Sequence, residues 1–321
     1  MHQYVIRRVL LAVPTIFLVV TLTFLATHVQ PDYAERSLAA GYSQGGDREK
    51  ALEQVRKSLG TDRPLHVQYG DYLLDVLKGD FGRSFLTKSS VMSELGERLA
   101  PSVELGILQI TLGLLISVPI GIISAVKQDT WIDYLLRFVA VLGLAIPSFY
   151  LATIASLVAF RWLSFSPPLV TTAYRELWED PVANLQMMAL PAIAGAFSIG
   201  AVIMRLLRSQ LLEVLRQDYV RTAAAKGLAN RVIIFRHVLK NALIPVVTVL
   251  GLLVATLFSG QVVLEQMFSI PGVGLFLVTS LQQNDFPVVQ GIVLLVGILL
   301  VTTNLVVDLA YAWLDPRIRY S

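Results

Sequence analysis

Few residues of this chain have the types and spacing that a reactive site would need. The sequence has no cysteine, which excludes thiol nucleophiles, disulfides and cysteine-ligated metals. One G-x-S-x-G stretch, GYSQG at residues 41–45, matches a hydrolase nucleophile elbow, but that motif needs a preceding strand, and the sequence around it is polar and glycine-rich. The histidines are widely separated and lack metal-ligand spacing: His2, His28, His66 and His237. The sequence therefore predicts no catalytic residue and no metal site.

Nucleotide and nucleic acid binding are also poorly supported. The sequence has no G-x-x-x-x-G-K-[ST] motif, so the chain cannot bind ATP through a phosphate-binding loop of that kind. The net charge of +3 says little about nucleic acid, because the basic residues cluster near the ends of apolar segments. We expect no nucleic acid partner and no cofactor bound by this chain.

The elements that must position any site are apolar helices. Hydrophobic residues make up 55% of the 321 residues and charged residues 15%, where a soluble protein would have about 25% charged. Several apolar runs reach about 20 residues, the length that crosses a bilayer as a helix. The predicted fold class is an all-α polytopic membrane protein, with residues 1–321 forming a single transmembrane domain in the lipid bilayer. The six predicted transmembrane helices lie at about 9–29, 102–126, 134–160, 187–207, 242–263 and 288–313.

The orientation follows from lysine and arginine in the short loops. Arg7 and Arg8 precede the first span, which lacks a cleavage site and is expected to be an uncleaved signal-anchor. Residues 205–240 hold eight basic and two acidic residues, whereas the loop between the fifth and sixth spans has no basic residue. By the positive-inside rule both termini and the segment 208–240 are cytoplasmic. Residues 30–100 are then an extracytoplasmic loop, with a helix near 47–60 and an amphipathic helix after Pro64 that we expect to cap the outer membrane surface.

The stretch DYVRTAAAKGL, residues 218–228, is basic and rich in small residues between two apolar segments. We expect the fourth span to continue as a helix to Gly227, which ends helices readily in a left-handed conformation. Asn230 can cap the next helix. The product would be a rigid cytoplasmic elbow suited to a protein groove. The alternative, a solvated connecting loop with positive-inside charges, stays open.

A few polar residues interrupt the apolar spans. Gln109, Ser117 and Ser124 fall roughly on one helical face, and Asn304 lies in the sixth span. Of these, Gln109, Ser117 and Asn304 are candidates for the wall of a translocation path. The commoner role of such residues is a hydrogen bond to a neighbouring helix, and that alternative stays open.

Many stretches, in order along nearly the whole chain, resemble the permease subunits of binding-protein-dependent ABC importers. DYVRTAAAKGL is similar to the coupling-loop variant of the dipeptide and oligopeptide permeases, although the general EAA pattern of such loops is matched here at Ala223 and Gly227 alone. The long first outer loop resembles that of the B-type subunit. Other similar stretches are LGTDRPLHVQYGDYL, KGDFGRSF, EQMFSIPGVG, DFPVVQG and NLVVDLAYAWLDPRIR.

The resemblance implies a mechanism and partners. This chain would pair with a second homologous permease in the cytoplasmic membrane of a prokaryote, with two ATPase subunits below and an extracytoplasmic substrate-binding protein above. It would not be an enzyme, because ATP and Mg²⁺ would be bound by the ATPases. The segment that couples ATPase closure to the membrane helices would include Tyr219, Arg221, Thr222, Ala223, Ala224, Lys226, Gly227 and Phe235.

The expected cargo is di- or oligopeptides, imported by alternating access. The alternatives are nickel or other metal chelates, glutathione or another small solute carried by the same machinery. An ion-coupled secondary transporter is a second alternative. It would need intramembrane acids or broken helices near the midplane, and both are poorly represented in the sequence.

Overall fold

The computed structural model describes residues 2–28, 56–57, 63–163, 174–255 and 261–314. Within these ranges the chain is helical, and the one β-type pairing is an isolated antiparallel bridge between Arg83 and Ser90. The helices before the middle of the chain are α1 (His2–His28), α2 (Leu65–Lys78), α3 (Val91–Val126), α4 (Trp131–Ala145), α5 (Ser148–Leu163) and α6 (Pro181–Leu215). The remaining helices are α7 (Asp218–Ala225), α8 (Asn230–Val232), the π-helix Ile233–Val238, α9 (Leu239–Ala255), α10 (Val262–Met267), α11 (Val273–Gln282) and α12 (Phe286–Leu314).

Five of these helical segments are long and apolar enough to cross a membrane. They are Ile6–Ala26, Val91–Val126, Pro181–Leu215, Asn230–Val254 and Phe286–Val307. The pair α4 and α5 would add a sixth if the two helices form one span. The predicted fold class, an all-α polytopic membrane protein, is confirmed. The orientation of the termini and the exact limits of each span stay predictions.

The third predicted span, at 134–160, is not one straight helix. Helices α4 and α5 meet at a bend of 108°. Pro147 accounts for the break, because a proline disfavours helical geometry in the residue before it, and Ile146 is extended with φ −92° and ψ 123°. The Pro147 carbonyl then accepts from the backbone N–H of Tyr150 at 3.0 Å and starts α5. The chain therefore has a broken helix in this segment, where the sequence predicted a continuous span.

The helix of the fourth span ends earlier than expected. We predicted that it would continue to Gly227, but α6 stops at Leu215 and α7 begins at Asp218 after a turn in which Gln217 is extended. One hydrophobic cluster contains both Leu211 of α6 and Val220 of α7. If α6 continued straight past Leu215, each further residue would lie about 1.5 Å farther from that cluster. The turn instead lets α7 pack on the same core.

The chain forms two compact units. The first contains residues 1–102, 258–266 and 271–321, and the second contains residues 103–257 and 267–270. In the first unit α1 and α11 pack on α12, and α2 lies against α1. Its core comprises Val91, Leu95, Val273, Phe276, Val288, Ile292 and Leu295.

The centre of the second unit is α6, which packs against α4, α5 and α9. Its buried residues include many of small volume, such as Ala192, Ala194, Gly195, Ala196 and Gly200. Small residues let helix backbones approach closely, which is how membrane helices gain van der Waals contact without a hydrophobic driving force. Helix α6 is therefore the scaffold on which the other helices of this unit are held.

The structure describes part of the predicted extracytoplasmic loop. The GYSQG stretch and most of the helix predicted near 47–60 lie outside the described residues. Helix α2 follows Pro64 as predicted, and Tyr69 packs against Phe24 with ring centroids 5.2 Å apart. The predicted apolar face is buried less than expected, since Leu77 is 83% exposed. A role for α2 as a cap on the membrane surface stays a prediction.

Candidate functional site

The predicted coupling segment folds as a short helix followed by a left-handed turn. Helix α7 is eight residues long, and Gly227 has φ +79°, the conformation expected of a terminating glycine. The backbone N–H of Gly227 donates to the carbonyl of Ala224 at 2.9 Å. The prediction that Asn230 caps the next helix is wrong: Asn230 is the first residue of α8, and Ala229 is its N-cap residue.

One face of α7 is buried and the other is open. Val220 and Ala223 face the hydrophobic cluster that also holds Ile233 and Val238 of the π-helix. The other predicted coupling residues are all exposed: Tyr219, Arg221, Thr222, Ala224, Lys226, Gly227 and Phe235. The structure therefore separates the predicted set into Ala223, which packs the segment against the unit, and seven residues that a partner can reach.

Several contacts hold α7 in place. The Tyr219 hydroxyl accepts a hydrogen bond of 2.8 Å from the Asn241 amide, which ties α7 to α9. Within α7 the Thr222 hydroxyl donates to the Asp218 carbonyl, and Arg221 lies 3.8 Å from the Asp218 carboxylate. This last pair is highly exposed, so it contributes little to stability. The segment next passes into a π-helix, a form often found at functional sites.

The exposed surface around α7 is strongly basic. Five exposed cations occur at five-residue intervals: Arg216, Arg221, Lys226, Arg231 and Arg236. Asp218 is exposed on the same segment. A surface of this composition is complementary to an acidic protein surface.

The predicted path residues lie in different settings. Gln109 is fully buried, and its amide donates to the Pro191 carbonyl at 3.3 Å, which joins α3 to α6. Ser117 is buried at the edge of a cavity of about 100 Å³ lined by α3, α4 and α6, and its hydroxyl lacks a hydrogen-bond partner among the described residues. Asn304 is exposed on α12, in the first unit. A role in a translocation path stays a prediction for all three.

The Gln109 contact gives a prediction of its own. A methyl group at Gly195 would overlap the Gln109 amide, which is fully buried and donates to the Pro191 carbonyl. Gly195→Ala is therefore expected to displace that amide from its partner and destabilise the protein by about 1–3 kcal/mol. At Gly200 the nearest atom to an added Cβ is 3.4 Å away, so Gly200→Ala is the matched control and should be neutral or stabilising. The measurement is thermal unfolding in detergent. Equal melting temperatures for the two variants would contradict the proposed close contact.

A buried ion pair was missed by the sequence analysis. The Arg208 guanidinium of α6 donates twice to Asp133 of α4, from Nε to Oδ1 at 2.8 Å and from Nη2 to Oδ2 at 2.6 Å. The Ser124 hydroxyl of α3 donates to the same carboxylate, as does the backbone N–H of Asp129. Asp133 has no exposed surface. An acid just inside one apolar segment and an arginine in the last turns of another were the signals available in the sequence.

Glu265 is the centre of a second buried cluster. Its Oε1 accepts from the Ser102 hydroxyl at 2.8 Å and from the backbone N–H of Gln261 at 3.0 Å, and its Oε2 accepts from the Leu275 N–H at 3.0 Å. Gly272 lies against the carboxylate, where an added Cβ would overlap it. The carboxylate therefore fastens the start of α11 to α3 and α10.

A third cluster fixes the hairpin of residues 83–90, which precedes α3. Asp285, just before α12, accepts from the Ser84 hydroxyl at 2.5 Å and from the Phe85 N–H at 3.0 Å. The Ser84 oxygen also accepts from the N–H groups of Leu86 and Thr87. The KGDFGRSF stretch is thus held to the start of the last helix by one serine and one aspartate.

Glu104, an acid near a span end, has a structural partner. The Tyr174 hydroxyl donates to Glu104 Oε2 at 2.5 Å. Burial raises the pKa of the Tyr174 phenol above its usual value, and the hydrogen bond to the carboxylate raises it further. The tyrosine therefore stays neutral and remains a donor at physiological pH.

Comparison with known proteins identifies the family. Residues 117–320 match the family described as binding-protein-dependent transport system inner membrane component, and residues 1–106 match the N-terminal family of the same systems. The chain is 35% identical to the dipeptide transport system permease protein DppB of Alkalihalophilus pseudofirmus. It is 36% identical to a putative peptide transport system permease protein of Brucella abortus and to the glutathione transport system permease protein GsiC of Salmonella typhimurium. Each alignment covers the whole of both chains.

The family matches and the apolar helices both indicate a membrane protein with several spans. The matched models span most of the chain, the relatives match end to end, and the described residues contain five or six potential membrane spans. The family description places its members in the inner membrane and makes them depend on a binding protein. The chain therefore belongs to the inner-membrane permease components of binding-protein-dependent ABC transporters, in the family of dipeptide and oligopeptide permeases.

Proposed function

We propose that this chain forms half of the translocation path of an ATP-driven importer for di- or oligopeptides. A second homologous permease completes the path, two ATPase subunits bind ATP and Mg²⁺, and an extracytoplasmic binding protein delivers the cargo. The observation that carries the proposal is the form of α7, whose inner face is packed into a hydrophobic cluster while its outer face is basic and open. A helix held in this way can transmit a push from a partner, because it does not yield as a flexible loop would.

In this mechanism the ATPase surface meets the exposed residues from Tyr219 to Gly227 on the cytoplasmic side. Arg221 and Lys226 pair with acidic groups of the ATPase, and Phe235 provides an apolar contact beside them. ATP binding moves the segment and exposes the path to the binding protein, and hydrolysis resets it. The cargo meets mainly uncharged side chains in the spans, so selectivity lies mostly in the binding protein.

Glutathione is the alternative cargo with a specific observation in its favour. The glutathione permease of Salmonella typhimurium is as similar to this chain as the putative peptide permease of Brucella abortus, at 36% identity. Nickel or other metal chelates remain a weaker alternative. The broken pair α4 and α5 is a feature that a secondary transporter can share, but family membership favours the ATP-driven importer.

Charge reversal on the open face of α7 tests this proposal. The double variant Arg221→Glu and Lys226→Glu reverses two of the five exposed cations without touching the packed face. We expect the variant chain to reach the membrane, to lose the ATPase subunits that copurify with it, and to reduce uptake of a labelled dipeptide at least tenfold. Uptake competition by unlabelled dipeptide and by glutathione distinguishes the two cargoes.

The matched control is Lys127→Glu, which reverses an exposed cation outside the coupling segment. The control should retain both copurification and uptake. Normal uptake in the double variant would contradict the assigned coupling surface. Uptake that needs no ATPase partner and stops when an ion gradient is collapsed would favour the secondary transporter.

A further inference from the structure

The ion pair between Asp133 and Arg208 lies close to the coupling segment along the chain. Arg208 is seven residues before the end of α6 at Leu215, which is about 10 Å along a helix, and α7 starts three residues later. Asp133 lies in the first turn of α4, which leads to the bend at Pro147. The pair therefore connects the α7 end of α6 to the beginning of the bent pair α4 and α5.

The geometry of this pair resists both separation and rotation. Each carboxylate oxygen of Asp133 accepts from a different nitrogen of Arg208, so the two side chains are held in one plane by two parallel hydrogen bonds. The Ser124 hydroxyl donates to Asp133 and accepts from Arg208 Nε at 3.1 Å. Helix α3 is thus fixed to the same point, and three helices are joined by one cluster of charged and polar groups.

Next to the ion pair, α4 and α6 are in apolar contact: Ala140, Ala201 and Met204 form a small buried cluster, with Leu136 packed against it. The cavity of about 100 Å³ lies along α4 from Leu136 to Ala140 and along α6 from Ile193 to Met204. Close contact is made farther along at Gly143, where an added Cβ would be 2.8 Å from the Ala201 Cβ. The α4–α6 interface therefore continues from the ion pair to Gly143, with a small cavity beside it.

Stability alone is a poor reason for a buried ion pair. Removing two charges from water is costly, and replacing a buried pair with apolar residues of similar volume is often neutral or stabilising. A pair that fixes one arrangement of three helices can instead serve to transmit movement.

We propose that Asp133 and Arg208, supported by Ser124, form the joint through which movement of the coupling segment reaches α4 and the bend at Pro147. Both are positioning residues, because they act through the helices that they connect. This inference rests on the proposed coupling function of α7. It adds that the movement driven by the ATPase passes from α6 to α4 through the Arg208 side chain.

The natural absence of cysteine makes a direct test simple. Single cysteines are introduced at Glu213, exposed near the end of α6, and at Tyr134, which is 56% exposed on α4. Each carries an environment-sensitive fluorophore in the intact complex reconstituted with its ATPase subunits in nanodiscs. The signal is the fluorescence change when a non-hydrolysable ATP analogue is added.

The decisive variant is Asp133→Leu with Arg208→Met, which replaces the ion pair with apolar side chains. In the natural background we expect both fluorophores to respond to the nucleotide. In the double variant we expect the label at 213 to respond and the label at 134 to lose at least 80% of its response, a decrease on the order of fivefold. ATPase activity should persist, and the dipeptide transported per ATP hydrolysed should fall about tenfold. A residue that merely stabilised the fold would leave this ratio unchanged.

Different failures have different signatures. An unchanged response at 134 in the double variant, with unchanged transport per ATP, overturns the joint. Absence of a response at both labels in the natural background overturns the proposed coupling function itself. If the double variant does not assemble, Arg208→Lys replaces it, because lysine keeps the charge and loses the paired hydrogen bonds. A full response at 134 in the lysine variant overturns the proposal, and a response reduced by about half supports it.

Discussion

Leucine in place of Glu265 is expected to cause a large loss of stability in the first unit. The variant leaves the Ser102 hydroxyl and the backbone N–H groups of Gln261 and Leu275 without their acceptor. Each buried donor without a partner costs about 1–3 kcal/mol, so the expected loss is about 3 kcal/mol or more. We expect little folded protein in the membrane.

The position of the carboxylate explains why the effect is large. Leu275 lies in the first turn of α11, where backbone N–H groups lack partners within the helix and a negative charge is favourable. The Ser102 hydroxyl, while donating to Glu265, accepts from the Val273 N–H in the same turn. Loss of the carboxylate therefore also frees the serine that satisfies a second backbone donor.

A graded series distinguishes this explanation from a simple change in volume. Glutamine keeps an oxygen for Ser102 and Gln261 but presents an amide to the Leu275 N–H, so Glu265→Gln should lose about half as much stability as Glu265→Leu. Glu97→Gln, at an exposed position of α3, is the control and should behave as wild type. The measurements are the amount of folded protein after extraction and its melting temperature. Equal stability of the leucine and glutamine variants would contradict the hydrogen-bond account.

The sequence predicted the helices well because hydrophobic runs of about 20 residues have one main solution in a bilayer. It failed where the backbone changes direction. The bend at Pro147 was predictable from the proline, but the turn after Leu215 has neither proline nor glycine and depends on the shared core with Val220. Tertiary contacts of this kind have no local signature.

The candidate site shows the same contrast. Gly227 was identified because a left-handed turn needs glycine, and this requirement is local. The pairing of Asp133 with Arg208, 75 residues apart, was not identified, because several acids and arginines near span ends were equally plausible partners. The acid that pairs with Arg208 can be identified only once the order of the helices around α6 is known.

Alanine at Ser84 is expected to release the hairpin of residues 83–90 from α12. The Ser84 oxygen uses all of its hydrogen-bonding capacity, donating to Asp285 and accepting from the N–H groups of Leu86 and Thr87. Removing it takes one of its two donors from buried Asp285 and takes the acceptor from the N–H groups of Leu86 and Thr87, at an expected cost of about 1–3 kcal/mol. We expect faster amide hydrogen exchange of the backbone from Arg83 to Val91.

Asparagine at Asp285 should reproduce most of this effect, although it is nearly the same size. Its oxygen can accept from the Phe85 N–H, but its NH₂ group would then face a serine oxygen that already accepts twice. Asp80→Asn is the control: one oxygen of exposed Asp80 accepts from the Gly82 N–H, a bond that an amide oxygen can replace. Rapid exchange confined to the Ser84 and Asp285 variants would establish that their hydrogen bond fixes the hairpin. If the amides of the hairpin exchange as slowly in Asp285→Asn as in wild type, the serine holds the turn without the carboxylate.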